Sequence, residues 1–469
     1  MSNFFINGNE VFVELETEVS NVPLELKGTL PEWLQGSLIR NGPIDVAVNG
    51  KPLNHWFDGL AMLHAFNIEN KRIGYSNRFL RTAAYNQVFE KGSIDYLGFA
   101  SDPCHSLFQK FKTFFSETPV LHNANINVAK IADSYIALTE IPLPVKFDVK
   151  TLETLGVFNY EDHLPKDKCW ESAHPHFNPV SKEVINYLIE YGLKSYYTVY
   201  QIDPLSSERQ ILSKTLVKSP SYMHSFSITE NYIVLAEYPF LVKPLEFLIS
   251  SVPFIRNFEW KEKLGTNFLV ISRKTGAIKG EYKGDSFFAF HHANARETEL
   301  GLSLDIVTYK DASIIDELSD YGNFKPITNL PKLERFHISF NSPHIEKETL
   351  LDFAVEFPRI NEAWDGKDNQ FLYLIDPKDW EEEGAAIYKF DLKSKKLSEW
   401  KEKGCFPGEA LFVANPKGEK EDEGVVLSVI FDKRDHSSFL LVLEAETFKE
   451  IARAETPHFI PTGLHGQFF

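Results

Sequence analysis

Cysteine is scarce in this chain of 469 residues: Cys104, Cys169 and Cys405 are the only three, and no two form a C-x-x-C pair. That pattern supports neither a disulfide framework nor a thiolate zinc site, and a reducing cytosol fits it best. A leader is also not expected, since "MSNFFINGNEVFVELETEVS" has no basic stretch followed by an apolar one. Nowhere do about 18 residues pass without charge or strong polarity, so no membrane-spanning helix and no standard secretion signal are expected. Positive charge is in deficit, 49 Lys and Arg against 66 Asp and Glu, for a formal charge of −17. Such a surface repels phosphate backbones and argues against a nucleic-acid partner. No fixed-period repeat, low-complexity tract or linker divides the sequence, and "KGEKEDEG" (417–424) reads as a solvated loop. One domain over residues 1–469 is therefore expected, because large closed β-architectures run well past the usual domain size.

Aromatic residues make up 14 % of the chain, with 39 Phe far ahead of Tyr and Trp. A long apolar cavity and a Phe-rich core would both use them, and composition does not separate the two. Short runs rich in β-branched and aromatic residues recur at 135–141, 232–238, 268–272, 300–309, 425–432 and 439–445, most of them closed by Gly, Asn, Asp or Pro turns. This is an all-β pattern. Two segments depart from it. In "CHSLFQKFKTFFSE", Leu107, Phe108, Phe111, Phe114 and Phe115 fall on one face of a helix. The other, 238–260, is apolar but too charged and Pro-broken to span a bilayer. Segments 105–116 and 238–260 are expected to form a membrane-facing or lid surface, with ordinary packing over the core as the alternative.

Four histidines stand in unusual local settings: His174 in "SAHPHFNP", His224 in "SYMHSFSITE", His291 in "FFAFHHANARE" and His465 in "GLHGQFF". A lone histidine is more often a hydrogen-bonded structural residue, so the reading depends on their convergence on one metal ion. Two sites leave a choice. His291 and His292 are neighbours that face opposite ways on a strand, and Pro175 disturbs the backbone between His174 and His176, so one ligand is expected from each pair. Neutral imidazoles suit a first-row transition metal. Metal-bound imidazoles usually donate their other N–H to a carboxylate, and three acids embedded in apolar runs are candidates: Glu140, Glu356 and Glu409, with Glu237 as a lesser fourth.

These strings together resemble the carotenoid cleavage oxygenase family over nearly the whole chain. "LKGTLPEWLQGSLIRNGP", "HWFDGLAMLHAFNI" and "NRFLRT" match its opening motifs, the four histidine strings follow in order, and "EFPRIN", "GEALFV", "DEGVVLSVIFD" and "GLHGQFF" complete it. The resemblance implies a seven-bladed β-propeller with a lid of loops and short helices over an axial non-haem Fe(II). It implies His174, His224, His291 and His465 as the ligands and catalytic centre, with His291 chosen over His292 by the H-x-x-N pattern ending at Asn294. Glu140, Glu356 and Glu409 match the family's outer carboxylates, His174 has none, and Ile126 matches the side chain that crowds one open iron position.

"DPCHSLFQKFKTFF" and "VLHNANINV" resemble the animal-type branch, which includes β-carotene oxygenases and a retinoid isomerase. The implied activity is O₂-dependent cleavage of a conjugated double bond in a carotenoid or apocarotenoid to two aldehydes, with central (15,15′) cleavage to retinal favoured. Retinoid isomerisation on the same iron scaffold is the first alternative. Stilbene cleavage is the second, and the absence of a lysine between Glu117 and Val128 counts against it. A cytoplasmic enzyme peripherally associated with a membrane is expected.

Overall fold

A computed structural model describes every residue except 1, 7–8, 16, 54, 94–98, 101–121, 167–168, 179, 246–251, 320–326 and 378–382. The apolar runs read from the sequence are strands in it: Ser134–Leu138, Tyr232–Glu237, Thr266–Ser272, Gly301–Thr308, Gly424–Asp432 and Ser437–Glu444. The last two are buried almost throughout, because neighbouring sheets cover both of their faces, whereas the outer strand Ile278–Gly284 is mostly exposed. This explains why the middle strands read as continuous apolar runs and the outer ones as Lys- and Glu-rich alternation.

Seven antiparallel sheets form the blades of a β-propeller. In chain order their innermost strands are Gly466–Phe468 in blade 1, Asn127–Ile131 in blade 2, His176–Phe177 in blade 3 and Ser227–Ile228 in blade 4. His292–Thr298, Glu356–Arg359 and Leu411–Ala414 follow in blades 5, 6 and 7. Two further small sheets, one formed by Ser2–Ile6, Asn9–Val13, Val46–Val48 and Lys51–Pro52 and the other by Phe240–Val242 and Phe258–Trp260, stand beside the ring.

Both ends of the chain close the circle. The last strand, Gly466–Phe468, pairs with Gly36–Ile44 as the inner edge of blade 1, while Leu26–Gly28 adds to Lys449–Glu455 as the outer edge of blade 7. The C-terminal strand approaches its partner so closely that a Cβ at Gly42 would stand 2.6 Å from the Gly463 Cα. Glycine is needed at that position for the tail to dock.

The amphipathic helix expected within 105–116, and Cys104 beside it, lie outside the described residues. Of 238–260, the apolar residues at both ends are core: Tyr238, Phe240, Val242, Ile255 and Phe258 are buried in one cluster, while Leu245 and Val252 are exposed. Among the described residues no helix is long and apolar enough to cross a membrane.

Candidate metal centre

Each of the four histidines stands just before the innermost strand of its own blade: His465 before Gly466, His174 before His176, His224 before Ser227 and His291 before His292. In blade 3 the inner edge is interrupted between Cys169–Glu171 and His176–Phe177, and His174 occupies the gap. Blade 7 repeats this arrangement, with Glu409 in the gap between Cys405–Pro407 and Leu411–Ala414. Glu356 begins the inner strand of blade 6, and Ile126 immediately precedes that of blade 2. Corresponding positions on all seven blades therefore deliver four imidazoles, two carboxylates and one isoleucine toward the axis.

One ring nitrogen from each histidine lies within 4.8 Å of the other three. The Nε2 atoms of His174 and His224 are 2.8 Å apart, and those of His291 and His465 are 3.2 Å apart. Three of the rings are oriented from behind by acids. His224 Nδ1 donates to Glu140 Oε1 at 2.5 Å, His291 Nδ1 to Glu356 Oε2 at 2.6 Å, and His465 Nδ1 to Glu409 Oε1 at 2.8 Å. With Nδ1 carrying the proton, each Nε2 presents a lone pair to the centre. Such nitrogens repel one another at these distances unless a cation sits among them, so the donor set fits a transition metal of the kind imidazoles hold. Among the described residues no carboxylate reaches His174.

Burial and the neighbouring imidazoles hold His174 well below the usual histidine range. Burial likewise brings His465 down to about 3, against the opposing pull of Glu409. The acids differ from one another. Burial raises Glu140, although His224 and the Tyr222 hydroxyl, 3.1 Å from both of its oxygens, act against it. For Glu356 burial is outweighed by His291, the Phe357 N–H and the Tyr309 hydroxyl, and it lies below the ordinary carboxylate range. Burial is also outweighed at Glu409, which Arg359, His465 and Arg40 hold far below that range.

The two paired histidines are occupied elsewhere. His176 bonds Asp365 Oδ2 at 2.7 Å and the Phe226 carbonyl at 3.1 Å, and His292 bonds Ser227 Oγ at 2.6 Å and the Tyr238 hydroxyl at 2.9 Å. Asn294 ties blade 5 to the loop of blade 6, donating to the carbonyls of Trp364 and Lys367 and accepting from Gly366 N–H. Glu237, at the end of Tyr232–Glu237 in blade 4, accepts from Asn267 on the adjacent strand and supports none of the four rings. Ile126 is buried, and its carbonyl accepts the His465 N–H at 3.1 Å.

Sequence reasoning passed over Arg40, Arg359, Tyr222 and Tyr309. Arg40 Nη1 meets Glu409 Oε2 at 2.5 Å and Nη2 meets the Leu464 carbonyl at 2.8 Å, while Arg359 bonds the Gly466 carbonyl at 2.9 Å. An arginine inside the apolar run "GSLIRNGP" was the available signal for the first of these. A second group of potential ligands, Glu402, Cys405 and Asp432, is instead ion-paired by Arg434 and Arg453, and burial pushes the Cys405 thiol up to about 12.

The family model described as RPE65, retinal pigment epithelial membrane protein, matches residues 12–469. The chain is 31 % identical over 510 residues to a β,β-carotene 15,15′-dioxygenase of Gallus gallus, covering 95 % of each chain. It is also 31 % identical over 494 residues to a carotenoid isomerooxygenase of Galleria mellonella, covering 97 % of this chain and 94 % of that one. Among solved structures, cobalt-substituted Synechocystis apocarotenoid oxygenase matches with a TM-score of 0.84 at 27 % identity, over 97 % of this chain and 96 % of that one.

Proposed function

The chain belongs to the retinal pigment epithelial membrane protein family of carotenoid oxygenases, and from this membership together with its four convergent imidazoles we propose that it is a carotenoid-cleaving dioxygenase. Its substrate is a carotenoid or apocarotenoid, the reaction adds O₂ across one conjugated double bond to give two aldehydes, and central cleavage to retinal is the favoured outcome. The observation that carries the reading is the meeting of His174, His224, His291 and His465 from four separate blades. These four would hold Fe(II), which supplies the site where O₂ is activated. Glu140, Glu356 and Glu409 fix the tautomer and direction of three rings, and Ile126, whose carbonyl accepts the His465 N–H, would crowd one open metal position as the family resemblance implies. Aromatic side chains close to the histidines, Phe290 at 5.6 Å from the His224 ring and Phe357 at 5.2 Å from the His465 ring, keep the surroundings apolar. They suit a polyene and exclude water. No nucleophile or general acid of the protein is required.

The described parts of the connections that follow Phe79, Glu237 and Thr308 (80–93, 238–245, 252–265 and 309–319) leave their blades at the end where the histidines lie, and we read these parts as lid. Leu193, Leu245 and Val252 are exposed at that same end. They support a peripheral membrane contact through which a lipid-soluble substrate reaches the centre, in a single cytoplasmic domain.

Fe(II)-loaded protein incubated with β-carotene or a β-apocarotenal in detergent tests the reading. Two aldehydes should form under O₂ and none under nitrogen. Isomerised retinoid formed without O₂ would instead favour the isomerase alternative, and iron-replete protein that cleaves no polyene would sink the oxygenase reading.

A further inference from the structure

Carboxylates orient three of the rings, but a ring is only as well placed as the peptide that carries it. Two buried serines fasten those peptides across blade boundaries. Ser172 Oγ donates to the carbonyl of His224 at 2.7 Å and accepts the N–H of His174 at 3.1 Å, so one hydroxyl joins the backbones of two ligands on blades 3 and 4. Ser225 repeats the device at the next boundary. Its Oγ donates to the Phe290 carbonyl at 2.7 Å and accepts the His292 N–H at 2.9 Å, gripping both peptides that flank His291. Ser172 is itself anchored, because Asn186 Nδ2 donates to its carbonyl at 2.8 Å. A chain of hydroxyls thus runs from His174 through His224 to His291.

We propose that Ser172 and Ser225 are positioning residues that set the spacing of His174, His224 and His291; the inference rests on the reading of these histidines as metal ligands. The chemistry requires a group that donates and accepts at once, and a hydroxyl does both. His174, which has no carboxylate behind it, depends on this clamp most. Adjacent blades could otherwise slide by fractions of an ångström, and metal affinity is sensitive to displacement of that size. Loss of groups that orient ligands typically lowers metal affinity about 10- to 100-fold.

The test is titration of the metal-free full-length chain with Co(II), followed through the visible d–d bands that report coordination geometry. Parent, S172A, S225A and the control S438A are compared. Ser438 is fully buried and accepts the Ile460 N–H at 2.9 Å, so the control loses a buried backbone bond that touches no ligand. S172A and S225A should bind Co(II) about tenfold or more weakly, with shifted bands, while S438A titrates like the parent. If either alanine variant does not fold, the serine-to-cysteine variant, of similar size but a weak donor, takes its place with the same expectation. Parent-like titration of the Ser172 and Ser225 variants overturns the inference, as does equal weakening in S438A. A parent that binds no Co(II) is a separate outcome: it removes the metal reading itself, and the inference falls with it.

Discussion

His465 Nδ1 lies 2.8 Å from Glu409 Oε1, and the other oxygen of that carboxylate holds Arg40 Nη1 at 2.5 Å and the Gly466 N–H at 3.0 Å. One side chain of blade 7 therefore orients a ligand, docks the C-terminal strand and balances a buried guanidinium of blade 1. Glu140 and Glu356 are simpler, since tyrosine hydroxyls rather than arginines share them.

This difference separates two effects. Glu140→Gln and Glu356→Gln should weaken metal binding about 10- to 100-fold with little change in the stability of the metal-free protein. Glu409→Ala should do both, lowering affinity and costing about 3–5 kcal/mol because Arg40 is left buried and unpaired. Metal titration paired with urea unfolding of each metal-free variant reads the two effects independently.

Removing residues 465–469 deletes one ligand and the strand that closes blade 1. Phe469 packs edge-on to Tyr135 at 5.0 Å, and its backbone exchanges hydrogen bonds with Ser37, so the tail is part of the ring. The truncated chain should bind no iron and should unfold at lower urea than His465→Ala, which removes the ligand alone. Equal midpoints would show that the tail contributes no closure.

His55 provides a pH signature away from the ligands. Its Nδ1 accepts the Phe57 N–H at 3.0 Å to cap the short turn Trp56–Asp58, and its Nε2 donates to the Ile315 carbonyl at 3.0 Å. The Nδ1 bond needs the neutral ring, and burial brings the group from 6.5 down to about 4, although the Ile315 carbonyl acts against it. Between those values the unfolded chain binds more protons than the folded one, so this contribution to stability is complete above 6.5 and is lost as pH falls toward 4. In His55→Asn, which keeps a capping acceptor and cannot titrate, the drop in urea midpoint between pH 7 and pH 4.5 should be smaller than in the parent.

Asn294→Ala should destabilise without touching the metal. The side chain spends its amide on the carbonyls of Trp364 and Lys367 and on Asn369 Oδ1, so its loss leaves buried acceptors unmet at a cost of about 1–3 kcal/mol. Iron stoichiometry at saturating metal should stay at the parent value, which distinguishes a bond between blades from a ligand contact.

The all-β class was readable because the middle strands are covered on both faces and so appear as unbroken apolar runs such as 425–432, whereas the propeller itself came from the family resemblance, since the blades share no repeat in sequence. Glu140, Glu356 and Glu409 could be picked out because carboxylates in apolar runs demand a partner. What the residues alone left open is long-range: His174 is separated from His176 by what each meets, and the partner of His176 is Asp365, 189 residues away. Ser172 and Ser225 gave no local sign, since a serine beside a histidine becomes informative only when the next blade supplies its carbonyl. The acids at 237 and 140 looked alike in sequence, and each stands at or just past the end of the second strand of its blade; they differ in what they meet, Asn267 of the neighbouring strand for Glu237 and the His224 ring for Glu140.

The most direct test of the central claim is iron content per chain, measured after anaerobic Fe(II) loading and removal of unbound metal, in the parent and in His174→Ala, His224→Ala, His291→Ala and His465→Ala. One iron in the parent and loss of binding in every variant is the predicted result. A parent without iron, or a histidine variant that retains a full equivalent at parent affinity, would contradict it.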